Sequence, residues 1–471
     1  MAFQLKRNLY EAVPVWVKRS VCLIPFGWIA GAAYRKTMAR NDYFDKGSRE
    51  EILAYQEKQL GDMLRFATDQ VPAYKPYRSA VKKLRPFDAL KVFPLLNKDI
   101  LQENIEAYLP RDFDKIPHYS MSTGGTSGNQ LTFFVDDVSQ AVENAFQHRL
   151  WRRVGYSIRK RRVTFRGVPF PNLKPGAYWQ DNPVYNELQF SPFHMNDNTL
   201  GAYVEQIARF RPEYIYGYPS AIDLLGEFVL RERLQNRFPR FRAALLISEG
   251  VSDAQRQRIE SGFSTRAFSF YGHSERVIMG GECEANSTYH HFPDYGVLEI
   301  ISEDGTICFE EGQRGELIGT GFLNRSLPLI RYRTGDYAMR CEYRCECGRC
   351  WDRFTDVEGR WKQDMVIGRN GARISIAALN MHGPLFEKVA RYQYFQERPG
   401  SCELRVMAAS GFSDSDKRAI MKAYNDKVGE ELDFTVRVVD DIPLTARGKL
   451  RLLDSRLQGA IASKAECKDS T

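Results

Sequence analysis

Between about residue 115 and residue 335, short apolar segments alternate with amphipathic ones. This alternation limits the possible folds more than any other feature of the chain. Candidate strands are Leu131–Val135, Val163–Phe165, Tyr214–Tyr216, Ala244–Ile247 and Ala267–Phe270. Candidate helices are Val138–Val154, Ala202–Arg209, Ala221–Glu232 and Asp253–Ser261. Helices interleaved with strands can cover both faces of a sheet, so the pattern predicts a mostly parallel α/β sheet with helices outside.

The flanking segments have a different texture. Residues 1 to about 115 carry a helical period, as in Ile52, Tyr55, Leu60, Met63, Leu64 and Phe66, interrupted at Pro72 and Pro76. Gly296–Ser302 and Gly315–Thr320 read as β-rich, with turns at Asp304-Gly305 and Glu311-Gly312. The last hundred or so residues suit a small α+β domain containing Ile374-Ser375-Ile376, a helix near Asp414–Val428 and a strand Phe434–Val439. The expected division is 1–361, including the helical part to about 115, and 362–471.

With 471 residues, 43% hydrophobic and 27% charged, the chain has the composition of a soluble globular protein of more than one domain. A net charge of +8 is moderate for that length. Arg159-Lys160-Arg161-Arg162 is the densest basic run and reads as a solvated helix end or, alternatively, as a phosphate or acidic-membrane contact. No nucleic-acid reader motif accompanies it, so a nucleic-acid partner is not expected. The apolar run Val21 to Ala33 is too short for the roughly 20 residues a bilayer span needs. It suits a buried or interfacial helix-turn, with peripheral membrane contact as the most it would support. The start of the chain lacks a secretory pattern, so the expected compartment is the reducing cytoplasm.

Ser122-Thr123-Gly124-Gly125-Thr126-Ser127-Gly128-Asn129 lies immediately before a strand. Glycines remove the Cβ obstruction and let backbone N–H groups approach a phosphate. No Lys follows the second glycine and no helix comes next, so this is not a kinase-type phosphate loop. Taken alone, such a cluster is more often simply a turn. Further motifs follow in order: Ile215–Ser220, Ser248-Glu249-Gly250, Tyr271-Gly272-His273-Ser274-Glu275, Arg331-Tyr332-Arg333-Thr334-Gly335-Asp336, Glu358-Gly359-Arg360 and Thr445-Ala446-Arg447-Gly448-Lys449. Each has an ordinary structural explanation, such as a helix N-cap at Ser252 or Asp253, a turn-capping Asp336 or a solvated Lys449.

Taken together and in this order, the motifs resemble the adenylate-forming superfamily. The resemblance is nearest to the phenylacetate–CoA ligase-like branch, which includes capsular-polysaccharide proteins of the CapK type. It implies an α/β fold with a large N-terminal α/β domain and a small mobile α+β C-terminal lid. ATP would lie against Ser122, Thr123, Gly124, Gly125, Thr126, Ser127 and Gly128, and against Ser248, Glu249 and Gly250. Tyr271, Gly272, His273, Ser274, Asp336 and Arg360 complete the implied nucleotide set. Tyr271 offers a flat face for adenine, Gly272 a tight turn, Glu275 a ligand for Mg²⁺ and Asp336 a grip on the ribose diol. Lys449 would offset the repulsion between two anions in the transition state. Two departures stand out: the loop reads Gly128-Asn129-Gln130 without the usual Lys, and the hinge acids are replaced by Lys362-Gln363-Asp364.

Four of the nine cysteines, Cys341, Cys345, Cys347 and Cys350, fall within ten residues. The one-residue spacing of Cys345 and Cys347 argues against all four binding one ion. Cys345-Glu346-Cys347-Gly348-Arg349 resembles a knuckle of the same branch, which implies a structural zinc completed by Cys283 and His290, with His291 and Cys350 as substitutes. Reduced surface thiols are the alternative.

The resemblance implies an enzyme that activates a carboxylic acid with ATP and Mg²⁺. It would then pass the acyl group to CoA or to an amine or hydroxyl acceptor, such as a sugar of a surface polysaccharide. Partners would be a small carboxylic acid and a separate acceptor, and a homodimer is compatible with the sequence. A non-catalytic nucleotide-binding scaffold and a kinase are the rival readings. Phe165–Phe170, Tyr216–Ser220 and Phe268–Gly272 are expected near the acid.

Overall fold

The computed structural model describes residues 18, 24–122, 131–167, 178–359, 364–381, 384–386, 388–443 and 451–457. The amino-terminal part is helical, as its period predicts. Its longest helix, Arg49–Gln70, begins with a capping box in which Ser48 and Glu51 each accept the other's backbone N–H. Ile52, Leu60, Met63 and Leu64 are buried on one face, while Tyr55 and Phe66 are half-buried. Pro72, which has no N–H to donate, ends the α-helix, and Pro72–Tyr77 continues as a 3₁₀ turn.

One twelve-stranded sheet organises the centre. From edge to edge its strands are Gly296–Ile301, Arg314–Gly321, Tyr332–Cys341, Arg353–Glu358, Tyr289–His291, Met279–Gly281, Ala267–Gly272, Ala243–Leu246, Tyr214–Gly217, Arg162–Phe165, Glu187–Phe190 and Trp179–Asn182. Only the run from Ala267–Gly272 to Glu187–Phe190 is parallel. The remaining pairings are antiparallel, so the expected mostly parallel sheet is instead mixed. The β-rich section is the other half of the same sheet. Its turns fall where expected, with Gly305 at φ 87° and Gly312 at φ 81°. Thr132–Asp136 lies outside the large sheet and pairs with His118–Ser122 in a two-stranded ribbon. Its alternating half-buried pattern, unlike the fully buried Arg162–Phe165, accounts for that placement.

The basic run is not simply a solvated helix end. Arg162 is buried and bonds Glu187 at 2.7 Å, Lys160 pairs with Glu213, and Arg161 donates to the carbonyl of Phe210. From residue 24 onward, the Val21–Ala33 segment is not buried either. Helix Phe26–Ala30 contains no buried residue. Among the described residues no helix is long and apolar enough to cross a membrane.

Within the parallel run, strand order turns back at Arg162–Phe165. The chain passes from Arg162–Phe165 to Glu187–Phe190 on one side, then returns to Tyr214–Gly217 on the other. The crevice beyond the carboxyl ends of two such strands is where ligands of open α/β sheets bind. Here the ends are drawn tightly together. Gly217 has φ 150°, and a Cβ there would lie 2.2 Å from the carbonyl oxygen of Phe165, so only glycine fits.

The carboxyl-terminal residues build a four-stranded sheet in the order Asp433–Val438, Ser401–Ala408, Val389–Gln396, Leu453–Ser455. Helix Asp414–Val428, capped by Ser413 and Asp416, packs on it through Tyr424, whose ring stacks on Phe434 at 4.0 Å. The strand expected at Phe434–Val439 is thus present one residue earlier. Ile374-Ser375-Ile376 divides between strand Arg373–Ser375 and helix Ile376–Leu379.

Candidate active site

Three of the sequence motifs fall at the carboxyl ends of neighbouring parallel strands. Tyr218–Ser220 follows Tyr214–Gly217, Ser248–Gly250 follows Ala243–Leu246, and Tyr271–Glu275 closes Ala267–Gly272. Sequence order therefore becomes spatial adjacency through strand pairing alone. Glu249 accepts from the Ser220 backbone N–H at 3.0 Å and from its hydroxyl at 3.1 Å. Burial raises the Glu249 pKa, and hydrogen bonds from Ser375 and Ser220 act in the opposite direction. Ser375 belongs to the carboxyl-terminal segment, so Glu249 joins the two parts of the chain. The Arg373–Glu227 ion pair at 2.6 Å lies in the same contact. Ser248 sits in the left-handed region at φ 65°, and Ser252 caps the next helix with Gln255.

Asp336 comes from the antiparallel half. Gly335 at φ 74° accompanies a break in register between Arg314–Gly321 and Tyr332–Cys341. This is a bulge that glycine accommodates. The Gly335 N–H is taken by Glu316 at 2.9 Å. Beyond the bulge the strand continues, so Asp336 lies within it rather than ending it, and Tyr332, Thr334 and Asp336 are all buried.

Two tyrosines brace the two carboxylates reciprocally. Tyr271, from the strand leading to Glu275, donates to Asp336 Oδ2 at 2.8 Å. Tyr332, from the strand bearing Asp336, donates to Glu275 Oε1 at 2.9 Å. Glu275 Oε2 also receives His273 Nδ1 at 3.0 Å. Because His273 Nε2 accepts the Ile278 N–H at 3.3 Å, the ring proton is on Nδ1 and points at the carboxylate. Burial alone would raise the Glu275 pKa. The hydrogen bond from His273, the residue's own backbone N–H and Tyr332 outweigh it and bring the value to about 2. Glu275 is thus an ionised hard-oxygen group with lone pairs to spare, which fits a Mg²⁺ ligand.

Some expectations need correction. Gly272 does not have a positive φ, and the left-handed residue of this turn is Arg276 at φ 58°. Phe165 is fully buried and stacks on Phe190 at 5.3 Å, so it fills the core rather than an acid pocket. Ser274 lies in the turn before Glu275. Thr123–Gly128, Arg360 and Lys449 lie outside the described residues, as does the side chain of Ser122. Tyr332 carried no role in the sequence reading. Its signal was the two-residue period linking it to Thr334 and Asp336.

The cysteine knuckle converges as the resemblance implied. Ligand atoms of Cys283, His290, Cys345 and Cys347 all lie within 4.8 Å of one another. Cys283 Sγ and Cys345 Sγ are 3.7 Å apart, and Cys347 Sγ and His290 Nε2 are 3.9 Å apart. Edges of a tetrahedron with ordinary zinc–ligand lengths are about 3.5–3.8 Å, so the set fits that ion. The other ring nitrogen of His290 is buried without a partner, which leaves the cluster as the polar contact of this imidazole among the described residues. The substitutes are excluded. His291 uses both nitrogens on the carbonyls of Met279 and Gly296, and Cys350 faces the carbonyl of Gly348.

Residues 366–455 match the CapK C-terminal domain. Protein CapK of Staphylococcus aureus is 26% identical over 372 residues, covering 76% of this chain and 78% of that protein. The phenylacetate-coenzyme A ligase of Thermus thermophilus is 26% identical over 451 residues, covering 87% of this chain and 97% of that enzyme. The chain is thus similar in sequence to the phenylacetate–CoA ligase-like, CapK-type branch of the adenylate-forming ligases. The fold is shared with 2-hydroxyisobutyryl-CoA ligase in complex with 2-HIB-AMP and CoA, at a TM-score of 0.56 and 17% identity over 91% of this chain and 94% of that one. As in adenylate-forming ligases, a large α/β body is joined to a small carboxyl-terminal domain.

Proposed function

We propose that this ligase activates a carboxylic acid with ATP and transfers the acyl group to CoA or to an amine or hydroxyl acceptor. The observation that carries the proposal is the reciprocal bracing of Asp336 and Glu275 at the carboxyl ends of the parallel strands. In the first step an oxygen of the substrate carboxylate bonds to the α-phosphorus. The bond to the bridging oxygen breaks, and pyrophosphate leaves with the electron pair. In the second step the acceptor sulfur, nitrogen or oxygen bonds to the acyl carbon, loses its proton to solvent, and AMP departs.

Asp336 accepts from the ribose hydroxyls, and Tyr271 holds that carboxylate in position. Glu275 would hold Mg²⁺, which when bound neutralises charge on the phosphate oxygens. The Ser122–Gly128 loop, Arg360 and Lys449 enter the proposal from the sequence: the loop cradles phosphates, and Lys449 stabilises the developing charge. Residues 362–471 act as a lid that exchanges contacts between the two steps, with the Glu249–Ser375 bond broken in one of them. The CapK relative suggests a surface-polysaccharide acceptor, and a cytoplasmic location follows if ATP is the substrate.

Identifying the nucleotide product tests this. Incubation with ATP, Mg²⁺ and a panel of carboxylic acids should yield AMP and pyrophosphate. ADP would indicate a kinase, and tight ATP binding with no product from any acid would indicate a scaffold.

The thiol–imidazole set is proposed to hold one structural zinc. Metal analysis of purified protein should give about one zinc per chain, and Cys345→Ser should lose it together with part of the thermal stability. A content well below one in freshly purified protein would reject the site.

A further inference from the structure

Helix Phe26–Ala30 is held to the body through Phe26 and through the Arg35 guanidinium, which donates to the Gly27 carbonyl at 2.9 Å, while Trp28 and Ile29 turn outward. Phe26 packs on Tyr34 at 5.3 Å, Tyr185 at 5.4 Å and His148 at 5.6 Å. Ile24, Trp28 and Ile29 remain 50%, 74% and 40% exposed. Scattered exposed apolar residues are normal, but three within six positions, including a tryptophan three-quarters exposed, form a ridge. The Arg35 guanidinium lies 5.8 Å from the Trp28 ring, and Lys36 beside it is also exposed. From residue 12 to residue 40 the sequence contains Lys18, Arg19, Arg35, Lys36 and Arg40 but no Asp or Glu.

We infer that this ridge is a membrane-surface contact, taking as its partner a bilayer with anionic headgroups. Tryptophan and aliphatic side chains projecting from a rigid element enter the headgroup–acyl boundary, while adjacent cations pair with lipid phosphates. The charge pattern selects this occupant. An apolar protein partner would not require a segment free of acids, whereas an anionic surface repels them. Helix Phe26–Ala30, at five residues, is far too short to span, and no described helix is long and apolar enough to cross. The surface is independent of the nucleotide reading. It would hold a soluble body at the face where a lipid-borne acceptor or acid is presented.

Co-sedimentation with phosphatidylcholine vesicles, with and without about 30% phosphatidylglycerol, tests the inference on the full chain. Binding should require the anionic lipid and weaken as salt rises. The double substitution Trp28→Ala, Ile29→Ala should lower it about tenfold or more. Arg35→Ala with Lys36→Ala should lower it by a similar factor and flatten the salt dependence. Lys82→Ala with Lys83→Ala, an exposed basic pair on another helix, should leave it unchanged. Because all the substituted side chains are exposed, unfolding temperatures should match the parent. Failure to bind anionic vesicles overturns the inference, as does undiminished binding by the Trp28/Ile29 variant. A concentration-dependent dimer abolished by that variant, with no lipid binding, would assign the ridge to a second copy and also overturn it.

Discussion

Glu275→Gln will lower the rate of acyl-adenylate formation by on the order of 10²–10³, in line with the loss of a preorganised electrostatic contact. Glutamine keeps the size of the side chain but removes the charge that a Mg²⁺ ligand must supply. It also leaves Tyr332 and His273 donating to one amide oxygen where two carboxylate oxygens stood. Tyr332→Phe removes only the brace, so its loss should be smaller, about tenfold, and should fall on kcat and on the Mg²⁺ requirement more than on KM for ATP. Tyr271→Phe should show the converse, raising KM for ATP because it loosens Asp336. Two purely structural tyrosines would not divide kcat and KM in this way. Lys449→Ala should resemble Glu275→Gln in rate but leave the Mg²⁺ dependence unchanged. Steady-state kinetics by pyrophosphate release separates these cases.

The pH dependence carries a further check on Glu275. Its pKa is depressed from 4.5 to about 2, so its contribution to stability is complete above about 4.5 and lost only as pH falls through 2. The acid limb of the rate profile between about pH 5 and 8 should therefore not titrate Glu275, and Tyr332→Phe should leave that limb in place.

Arg149→Met will cost about 3–5 kcal/mol of stability, the usual consequence of stranding one member of a buried ion pair. Arg149 bonds Asp294 at 2.7 Å, and both side chains are fully buried. The guanidinium also lies 5.0 Å from the Phe146 ring and 5.2 Å from that of Phe292. Each partner already has one polar atom without a hydrogen bond, Arg149 Nη2 and Asp294 Oδ1, so little remains to solvate a stranded carboxylate. Changing Asp294 to Leu together with Arg149→Met should recover much of the loss, because two apolar groups leave no buried charge. Urea unfolding midpoints of the single and double variants measure this. Equal losses would mean that packing of the arginine stem, not charge, holds helix Ser139–Arg152 to the sheet.

Local signals were legible where a short-range rule decides the outcome. The Asp414–Val428 helix, four of the five strands of the parallel half (all but Glu187–Phe190) and the Gly305 and Gly312 turns all depend on neighbours within a few residues. The cluster proposed to hold zinc was legible through the knuckle, although only the pairing of Tyr289–His291 with Arg353–Glu358 and Met279–Gly281 fixes His290 in its place. The sheet's mixed character was not legible. Apolar strands read alike whether parallel or antiparallel, since direction is a property of the partner. Phe165 was misread for a related reason: an aromatic side chain has the same identity in a core or in a pocket.

The sequence by itself determined the chemistry available: a hydroxyl- and glycine-rich loop, two acids on separated motifs, a late lysine and a Cys-x-Cys knuckle. Tertiary structure alone decided that Tyr271 serves Asp336 and Tyr332 serves Glu275, each across strands more than fifty residues apart in the chain. The physical reason is range. Propensity, capping and turn chemistry act over a few bonds, whereas a hydrogen bond between distant strands exists only after sheet order and register have brought its two atoms within 3 Å.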